Sequence, residues 1–277
     1  MRSFRFVLAV VVIAVFALAG GSWAAGSKKI NIVGSTTVLP IAQACAEKFM
    51  DLYPEIDVSV KGGGSGVGIS ALIDGTCDIA DASRPMKPSE VKRAKAKGIN
   101  PVAHVIARDG IAVVVHPSNP VSALTIDQIK DIYVGKIKNW KELGGKDMKI
   151  IVISRDSSSG TYEVFEHLVL KGAKVRKDAL LMASNKAVAM AVAKTPGAIG
   201  YVGLGYLSKS LKALKVDGAY PTLETVRDGS YKLSRPLFMY TNGKPKGVIK
   251  EFIDFVLSPE GQKIVKEQGF VPIKLKD

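Results

Sequence analysis

The stretch KINIVGSTT, residues 29–37, decides the fold of this chain because it joins two kinds of hydrophobic pattern. Residues 29–33 alternate as a β-strand does, and the apolar residues from 39 to 50 recur at helical spacing. Between them, one glycine and three hydroxyl residues end the strand and precede the helix. The stretch therefore predicts a strand, a tight turn and a helix in immediate succession.

This succession recurs along the chain. Strands followed by small-residue turns and helices are predicted at 57–60 (turn 62–66, helix through Ile73) and 149–153 (turn 157–161, helix to about Leu170). Further strands are predicted at 77–80, 111–115, 198–202 and 237–240, and further helices at 125–134, 248–257 and after Pro259. Strands that alternate with helices form βαβ units, so we predict an α/β fold of mostly parallel sheets flanked by helices.

The three turns share the chemistry that binds anions. The first turn of a helix leaves about four backbone N–H groups unpaired and carries roughly half a positive charge. Serine and threonine add donors, and glycine lets an anion approach the backbone. One such turn is ordinarily only a helix cap, but three at the carboxyl ends of parallel strands could surround one small oxyanion. Arg155, just before the third turn, would add a full charge and a forked donor.

Composition and charge indicate a globular protein. The 277 residues are 47% hydrophobic and 23% charged, which excludes a disordered chain. Lysine and arginine outnumber aspartate and glutamate by 39 to 25, a net charge of +14. The basic residues are scattered singly or in pairs and no DNA-reading motif accompanies them, so we expect a solvated surface and no nucleic acid partner.

The N-terminus has the pattern of a secretory signal peptide. An apolar run at 7–18 follows two arginines and precedes small residues. Twelve residues are too few to span about 30 Å of hydrocarbon as a helix. We predict that residues 1–25 are a signal peptide cleaved near Ala24 or Ala25, without a lipid anchor, and that the mature protein is periplasmic.

Cysteine and histidine usage gives no metal site. Cys45 and Cys77 are separated by a spacing that fits no metal motif, and in an oxidising compartment they could form a disulfide or remain as two buried thiols. The three histidines are far apart and lack neighbouring ligands: His104, His116 and His167. We expect neither a metal nor a cofactor.

Catalysis has no support in the sequence. The glycine-rich run does not fit the dinucleotide-binding pattern, and no P-loop pattern occurs. Ser159 lacks the preceding glycine of a nucleophile elbow, and no histidine lies near it in the chain. We predict that the protein is not an enzyme, with a serine hydrolase using Ser159 as the alternative from another class.

Five stretches together resemble the periplasmic phosphate-binding proteins that serve the high-affinity phosphate ABC transporter. They are residues 34–36, 63–66, 131–140 (DIYVGKIKNW), Arg155 with 159–161, and 196–201 (PGAIGY). The resemblance implies a two-lobed, cleft-type solute-binding protein, with one lobe at 27–108 plus 235–277 and the other at 109–234. It also implies that the protein captures inorganic phosphate, acts as a monomer and delivers its ligand to an inner-membrane ABC permease. Another oxyanion, sulfate or a metal oxyanion, is the alternative ligand.

Family binding residues carry over by position, with one departure. The resemblance implies phosphate-binding roles for Ser35, Thr36, Thr37, Ser65, Ser83, Arg84, Arg155, Ser159, Gly160 and Thr161. At the position of Ser83, well-known members have an aspartate that accepts the proton of hydrogen phosphate, and a second family aspartate falls on Ser157, next to Asp156. We therefore expect weakened discrimination against sulfate. Asp81 is the other carboxylate near the site, and its more ordinary interpretation is a strand-end residue.

Overall fold

The structure is a computed structural model that describes residues 28–273, so the predicted signal peptide at 1–25 lies outside the described residues. The strands are β1 (Lys28–Gly34), β2 (Ile56–Gly62), β3 (Ile79–Ala82), β4 (Pro101–Val115), β5 (Ala123–Leu124), β6 (Ile151–Arg155), β7 (Leu180–Met182), β8 (Ala198–Gly203), β9 (Lys212–Ala213), β10 (Lys215–Val216), β11 (Ser234–Asn242) and β12 (Val271–Pro272). The helices are α1 (Leu39–Leu52), α2 (Ser65–Ile73), α3 (Pro88–Ala96), α4 (Ile126–Val134), α5 (Gly160–Phe165), α6 (Asn185–Lys194), α7 (Leu223–Asp228), α8 (Gly247–Leu257) and α9 (Pro259–Glu267). Within residues 28–273, no helix has both the length and the apolar character to cross a membrane.

Local sequence explains where several helices begin. The Thr125 hydroxyl accepts from the backbone of Gln128, whose side chain accepts from Thr125 in return, so this capping box starts α4. Ser258 caps α9, and Ser159 caps α5. The helix predicted to continue to Leu170 changes to a π-helical turn over Glu166–Leu170.

One mixed sheet runs through the molecule. Its strand order is β2-β1-β3-β11-β4-β8-β6-β7, with β12 and β9 also paired to β4. The strands that lead into the three turns pair in parallel with their neighbours, as predicted: β1 with β2 and β3, and β6 with β7 and β8. The central strands β4 and β11 instead pair antiparallel with each other and with β3 and β8. Parallel strands thus place the turns, and antiparallel strands join the two halves of the sheet.

The buried apolar side chains form two groups of clusters, and we use the names lobe one and lobe two for the parts of the chain that contribute to them. In lobe one, two clusters cover the sheet of β1–β3 with buried residues of 30–107 and 237–270. In lobe two, two clusters contain buried residues of 111–233, together with Val271 of the last strand. β4 and β11 pass from one group to the other, and Asp109 lies opposite Arg235 in their antiparallel register where they pass.

The long strand β4 is more extensive than predicted. The continuous apolar run at 111–115 is only its second part, and it is buried throughout. The first part is partly or fully exposed at 101–105 and at Arg108 and contains charged residues, so it lacked the apolar run on which the prediction relied. The sequence also gave no prediction for α6, which matters for the site described below.

Cys45 and Cys77 are both free and buried, so the structure supports the alternative of two thiols rather than a disulfide. Cys45 belongs to the cluster that α1, α8 and α9 form with the sheet, whereas Cys77 packs in the cluster around α2. The two thiols therefore pack in different clusters, and no disulfide joins them. Burial raises the pKa of each thiol to about 12.

We expect the two thiols to be unreactive in the folded protein. The raised pKa leaves almost no thiolate, the form that reacts with alkylating reagents, near neutral pH. After treatment with an alkylating reagent in the absence of reductant, mass spectrometry should therefore find no alkylated cysteine in the native protein. The denatured protein should carry two alkylated cysteines. An unlabelled denatured protein would contradict this and indicate a disulfide.

Candidate functional site

Three turns meet at the carboxyl ends of β1, β2 and β6; we call them turn 1 (34–37), turn 2 (62–66) and turn 3 (157–161). The parallel register places Gly34 level with Gly62 and with Asp81. Gly34 also approaches β3 closely, since a Cβ there would lie 2.1 Å from the Asp81 carbonyl oxygen. Turns 1 and 2 are joined by a hydrogen bond from Gly64 N to Gly34 O, 2.9 Å long. The sequence-predicted turns are therefore neighbours in space.

Turn 3 comes from lobe two and contacts turn 2 of lobe one. The Ser158 hydroxyl donates to Gly63 O over 3.0 Å, and Gly66 N donates to Ser158 O over 2.9 Å. Asp156 holds turn 3 in shape, because its Oδ1 accepts from Ser158 N at 2.8 Å. The two lobes therefore meet at these turns, and we call the junction between the turns the cleft.

Ser65, Ser83 and Gly160 face one another in the cleft. Ser83 N donates to Ser65 Oγ over 3.0 Å, and the two hydroxyl oxygens are 3.2 Å apart. Gly160 lies so close that a Cβ on it would be 2.3 Å from Ser65 Oγ and 2.8 Å from Ser83 Oγ. Both serines are buried, so the structure brings together three residues that the sequence assigned to the site.

The threonines of turn 1 meet Thr161 from the opposite lobe. Thr37 Oγ1 and Thr161 Oγ1 are 2.9 Å apart, and both residues are buried. Thr36 is also buried, and its carbonyl accepts from the Tyr206 hydroxyl. These contacts place two of the predicted binding hydroxyls, Thr36 and Thr161, on either side of the cleft.

Ser35 and Ser159 are present in the turns but act through the backbone. Ser35 Oγ accepts from Thr37 N at 3.1 Å, and Ser159 Oγ accepts from Tyr162 N at 3.1 Å. Ser159 thereby caps α5, and Ser35 fixes the backbone just before α1, whose N-cap residue is Val38. Accepting a bond from a backbone N–H does not activate a serine, so these contacts give the hydrolase alternative no support.

Arg155 is the buried cation of the site. Its side chain is fixed by bonds from Nε to Met182 O, at 2.9 Å, and from Nη2 to Ala183 O, at 3.1 Å. Nη1 is buried and has no hydrogen-bond partner among residues 28–273. Burial lowers the pKa of the guanidinium, an effect that the charge of Asp156 opposes, yet arginine remains charged at neutral pH. A buried cationic donor without a partner is suited to an anion.

Arg84 is a correction to the sequence-based site, because its charge is used elsewhere. Nη1 and Nη2 donate to the two carboxylate oxygens of Glu90, each over 2.8 Å. Nε lies 2.8 Å from Glu163 of α5, which also pairs with Lys87. Burial raises the pKa of Glu90, but hydrogen bonds from Arg84 and from Lys87 N outweigh this effect and bring the pKa below its ordinary value. The Arg84 guanidinium therefore joins the two lobes instead of facing the cleft.

Asp81 behaves as a buried strand residue. Its side chain is 1% exposed and Oδ1 has no hydrogen-bond partner in the described part of the chain. Burial raises the pKa of this carboxyl well above its ordinary value, because removal from water disfavours the charged form. The shift reduces the repulsion that a carboxylate would exert on a nearby anion.

Sequence analysis missed three residues that hold the site: Asn185, Asp109 and Arg235. Asn185 Nδ2 donates to the Thr36 and Thr37 hydroxyls, and Arg235 Nη2 donates to Thr37 Oγ1 over 3.2 Å. None belongs to a motif, and each bonds to at least one partner more than 90 positions away in the chain. Only the capping serine before Asn185 could have marked the start of a helix there.

The groups of the site are suited to binding an anion. Its donors are hydroxyls, backbone N–H groups, the Asn185 amide and the guanidinium groups of Arg155 and Arg235, all of which can donate to oxygen. Within residues 28–273, no group of three or more histidine, cysteine, aspartate or glutamate side chains could hold a metal ion.

We expect Gly160→Ala to prevent the lobes from meeting. The added methyl would overlap the Ser65 and Ser83 hydroxyls, and overpacking of this kind typically costs about 1–3 kcal/mol. Calorimetry with phosphate should show roughly 5- to 150-fold weaker binding. Gly66→Ala is the matched control, because a Cβ there meets its nearest neighbour, Ser158 O, at an ordinary 3.4 Å. Equal affinities for the two variants would contradict the close approach.

Comparison with known proteins places the chain in a family. A family model for the PBP superfamily domain matches residues 19–260. The chain is 39% identical over 249 residues to the phosphate-binding protein PstS of Bacillus subtilis, which covers 89% of this chain and 81% of the relative. It is 36% identical over 259 residues to PstS of Borreliella burgdorferi, and the match covers 89% of this chain and 91% of that relative.

Solved structures agree. A Clostridium perfringens protein with bound phosphate, described as a candidate phosphate ABC transporter substrate-binding protein, superposes with a TM-score of 0.83 at 39% identity, covering 89% of this chain and all of the other. An ABC-type phosphate transport receptor from Vibrio cholerae gives a TM-score of 0.73 at 37% identity, and the superposition covers 88% of this chain and all of the receptor.

Two lobes with a buried, donor-lined cleft between them define a cleft-type solute-binding protein. Within that class, the chain belongs to the PBP superfamily and to its family of phosphate-binding proteins, PstS. This is the family to which the sequence motifs pointed, and that prediction is confirmed.

Proposed function

We propose that this protein captures inorganic phosphate in its cleft and delivers it to a membrane ABC permease. One observation carries the proposal: turns from both lobes meet through buried hydroxyls, and Arg155, just before turn 3, is buried with an Nη1 that has no partner in residues 28–273. Helix-start N–H groups and hydroxyls supply the remaining donors. Relatives named phosphate-binding proteins support phosphate as the anion.

The finer features belong to the same proposal. We place the lobe boundaries at 108/109 and 234/235, supported by the division of the apolar clusters on either side of those positions, from which Val271 in the lobe-two cluster departs. We propose a monomer in the periplasm, exported by a signal peptide cleaved near Ala24 or Ala25. The Arg84–Glu163 ion pair would help to hold the closed state.

Calorimetry with phosphate tests the proposal directly. Saturable binding to the purified mature chain is expected, with a smaller radius of gyration by solution scattering when phosphate is present, because donors from both lobes can touch one anion only in the closed state. Absence of binding would refute the proposal. Incubation with a chromogenic phosphate ester separates binding from the hydrolase alternative, and we expect no release of product.

Selectivity should depend on Ser83. A carboxylate in the site accepts the proton of hydrogen phosphate and repels sulfate, whereas a hydroxyl can also rotate and donate to sulfate. We expect Ser83→Asp to increase the ratio of phosphate to sulfate affinity in competition calorimetry. Ser118→Asp, at an exposed loop position, adds the same charge and should leave the ratio unchanged. An unchanged ratio in Ser83→Asp would exclude Ser83 as the proton acceptor and make Asp81 the residue to test.

A further inference from the structure

Asn185 lies at the start of α6 in lobe two and is completely buried against turn 1 of lobe one. Its Oδ1 accepts from Gly203 N over 3.1 Å. A backbone N–H can only donate, so this contact fixes which end of the amide is the oxygen. The Nδ2 group consequently faces turn 1, where it donates to Thr36 Oγ1 and to Thr37 Oγ1, each over 3.0 Å.

The direction of the bond between Thr37 and Thr161 follows from this geometry. A hydroxyl has two lone pairs and one proton. Thr37 Oγ1 accepts from Asn185 Nδ2 and from Arg235 Nη2, two groups that can only donate. Both of its lone pairs are then occupied, so its proton points to Thr161 Oγ1 at 2.9 Å. Thr161 receives that bond and keeps its own proton for the cleft.

Thr36 is directed in the same way. Its Oγ1 accepts from Asn185 Nδ2 and, over 3.4 Å, from Asn185 N. With both lone pairs engaged, the Thr36 proton is also left for another acceptor. One amide thus directs two hydroxyls, Thr36 from lobe one and Thr161 from lobe two.

We propose that Asn185 is a positioning and specificity-determining residue that makes Thr36 and Thr161 donors to the bound anion. This inference rests on the proposed function, since it assumes phosphate in the cleft. Hydroxyls that can only donate favour the phosphate form with fewer protons. The Ser65–Ser83 pair is different, because either oxygen can be the donor of their mutual bond and Ser83 can turn a lone pair to the ligand.

The proposal predicts how affinity changes with pH. Wild-type affinity for total phosphate should rise as pH increases through the second ionisation of phosphate, because the dianion then predominates. In Asn185→Ala, Thr37 has one lone pair free and can accept from Thr161, which then no longer donates to the ligand. We expect Asn185→Ala to bind phosphate about tenfold more weakly than wild type at alkaline pH, because one hydrogen bond to a charged group is lost. The affinity profiles of the two proteins should converge at acidic pH.

Other ionisable groups face the same cluster and are shared by wild type and variant. They are Asp109 and Arg235 from β4 and β11, Tyr206 after β8, on which the charge of Arg155 acts, and Asp81 from β3, whose backbone lies against Gly34 of turn 1. Burial raises the pKa of Tyr206 to about 12, beyond the range of the titration. Comparing the slopes of the two profiles therefore isolates the contribution of Asn185.

The experiment is calorimetry with inorganic phosphate at several pH values on wild type, Asn185→Ala and a control. Asn119→Ala is the control, because Asn119 is also buried but takes no part in the hydrogen bonds of the turns. Should Asn185→Ala fail to fold, Asn185→Ser replaces it, since one hydroxyl proton cannot serve both threonines. Parallel profiles, displaced equally at every pH, would show a packing role only and overturn the proposal, as would unchanged affinity. If wild type itself does not bind phosphate, the proposed function fails instead.

Discussion

Arg155→Ala should weaken phosphate binding by about 2–5 kcal/mol, or about 30-fold to several thousand-fold, as expected for removing one member of a buried charged pair. An anion in a water-poor cleft must be matched by charge and donors or desolvation opposes binding. Arg155 is 2% exposed, and two backbone carbonyls hold its guanidinium in place before any ligand arrives. The binding constant can be measured by calorimetry.

Two variants make this result specific. Arg155→Lys keeps the charge but loses the fork that donates twice, so its affinity should lie between those of wild type and Arg155→Ala. Arg227→Ala removes the same charge from an exposed position of α7 in lobe two and should bind as wild type does. If Arg227→Ala lost as much affinity as Arg155→Ala, long-range attraction and not direct contact would explain the effect.

Asp109→Ala should lower the free energy of unfolding by about 3–5 kcal/mol, because it leaves a buried charge without its partner. Arg235 Nε and Nη2 donate to Asp109 Oδ2 over 3.1 and 2.8 Å, and both side chains are almost completely buried. Burial raises the pKa of Asp109, an effect that Arg235 opposes. The other carboxylate oxygen accepts from Leu204 N at 2.9 Å, so that bond would be lost as well.

Urea denaturation of the ligand-free protein measures this change. Asp254→Ala is the control, because Asp254 pairs with Lys250 on an exposed face of α8 and such pairs contribute about 0–1 kcal/mol. Asp109→Asn keeps an acceptor for Leu204 N but loses the charge. Its free energy of unfolding should therefore lie between those of Asp109→Ala and Asp254→Ala. A value for Asp109→Ala within about 0.5 kcal/mol of wild type would show that the ion pair is not needed for the fold.

Most of the fold could be predicted from the sequence because it depends on local patterns. Alternation in 29–33 and helical spacing in 39–50 correspond to β1 and α1. The hydroxyl-rich turns lie where the sequence placed them, and Ser65, Gly160 and Thr161 meet in the cleft. Each of these features is decided within about one strand or one helical turn.

Arg84 shows where local pattern is insufficient. Its place beside Ser83 predicted a second cation in the site, but the guanidinium forms ion pairs with Glu90 and Glu163. Whether a charged side chain faces a cleft depends on which carboxylates the fold brings within its reach. Glu163 belongs to the opposite lobe, so no pattern near Arg84 could have revealed this pairing.

The sequence alone determined the alternation of strands and helices, the donor chemistry of the three turns and the position of Arg155, because neighbours in the chain specify each of them. The tertiary structure decided which donors are held in place and in which direction they donate. Asn185 reaches Thr37 across 148 positions, and Arg235 reaches it across 198. Contacts of that separation arise only when β4 and β11 bring the two lobes together, and hydrogen-bond direction depends on the full set of partners at each oxygen.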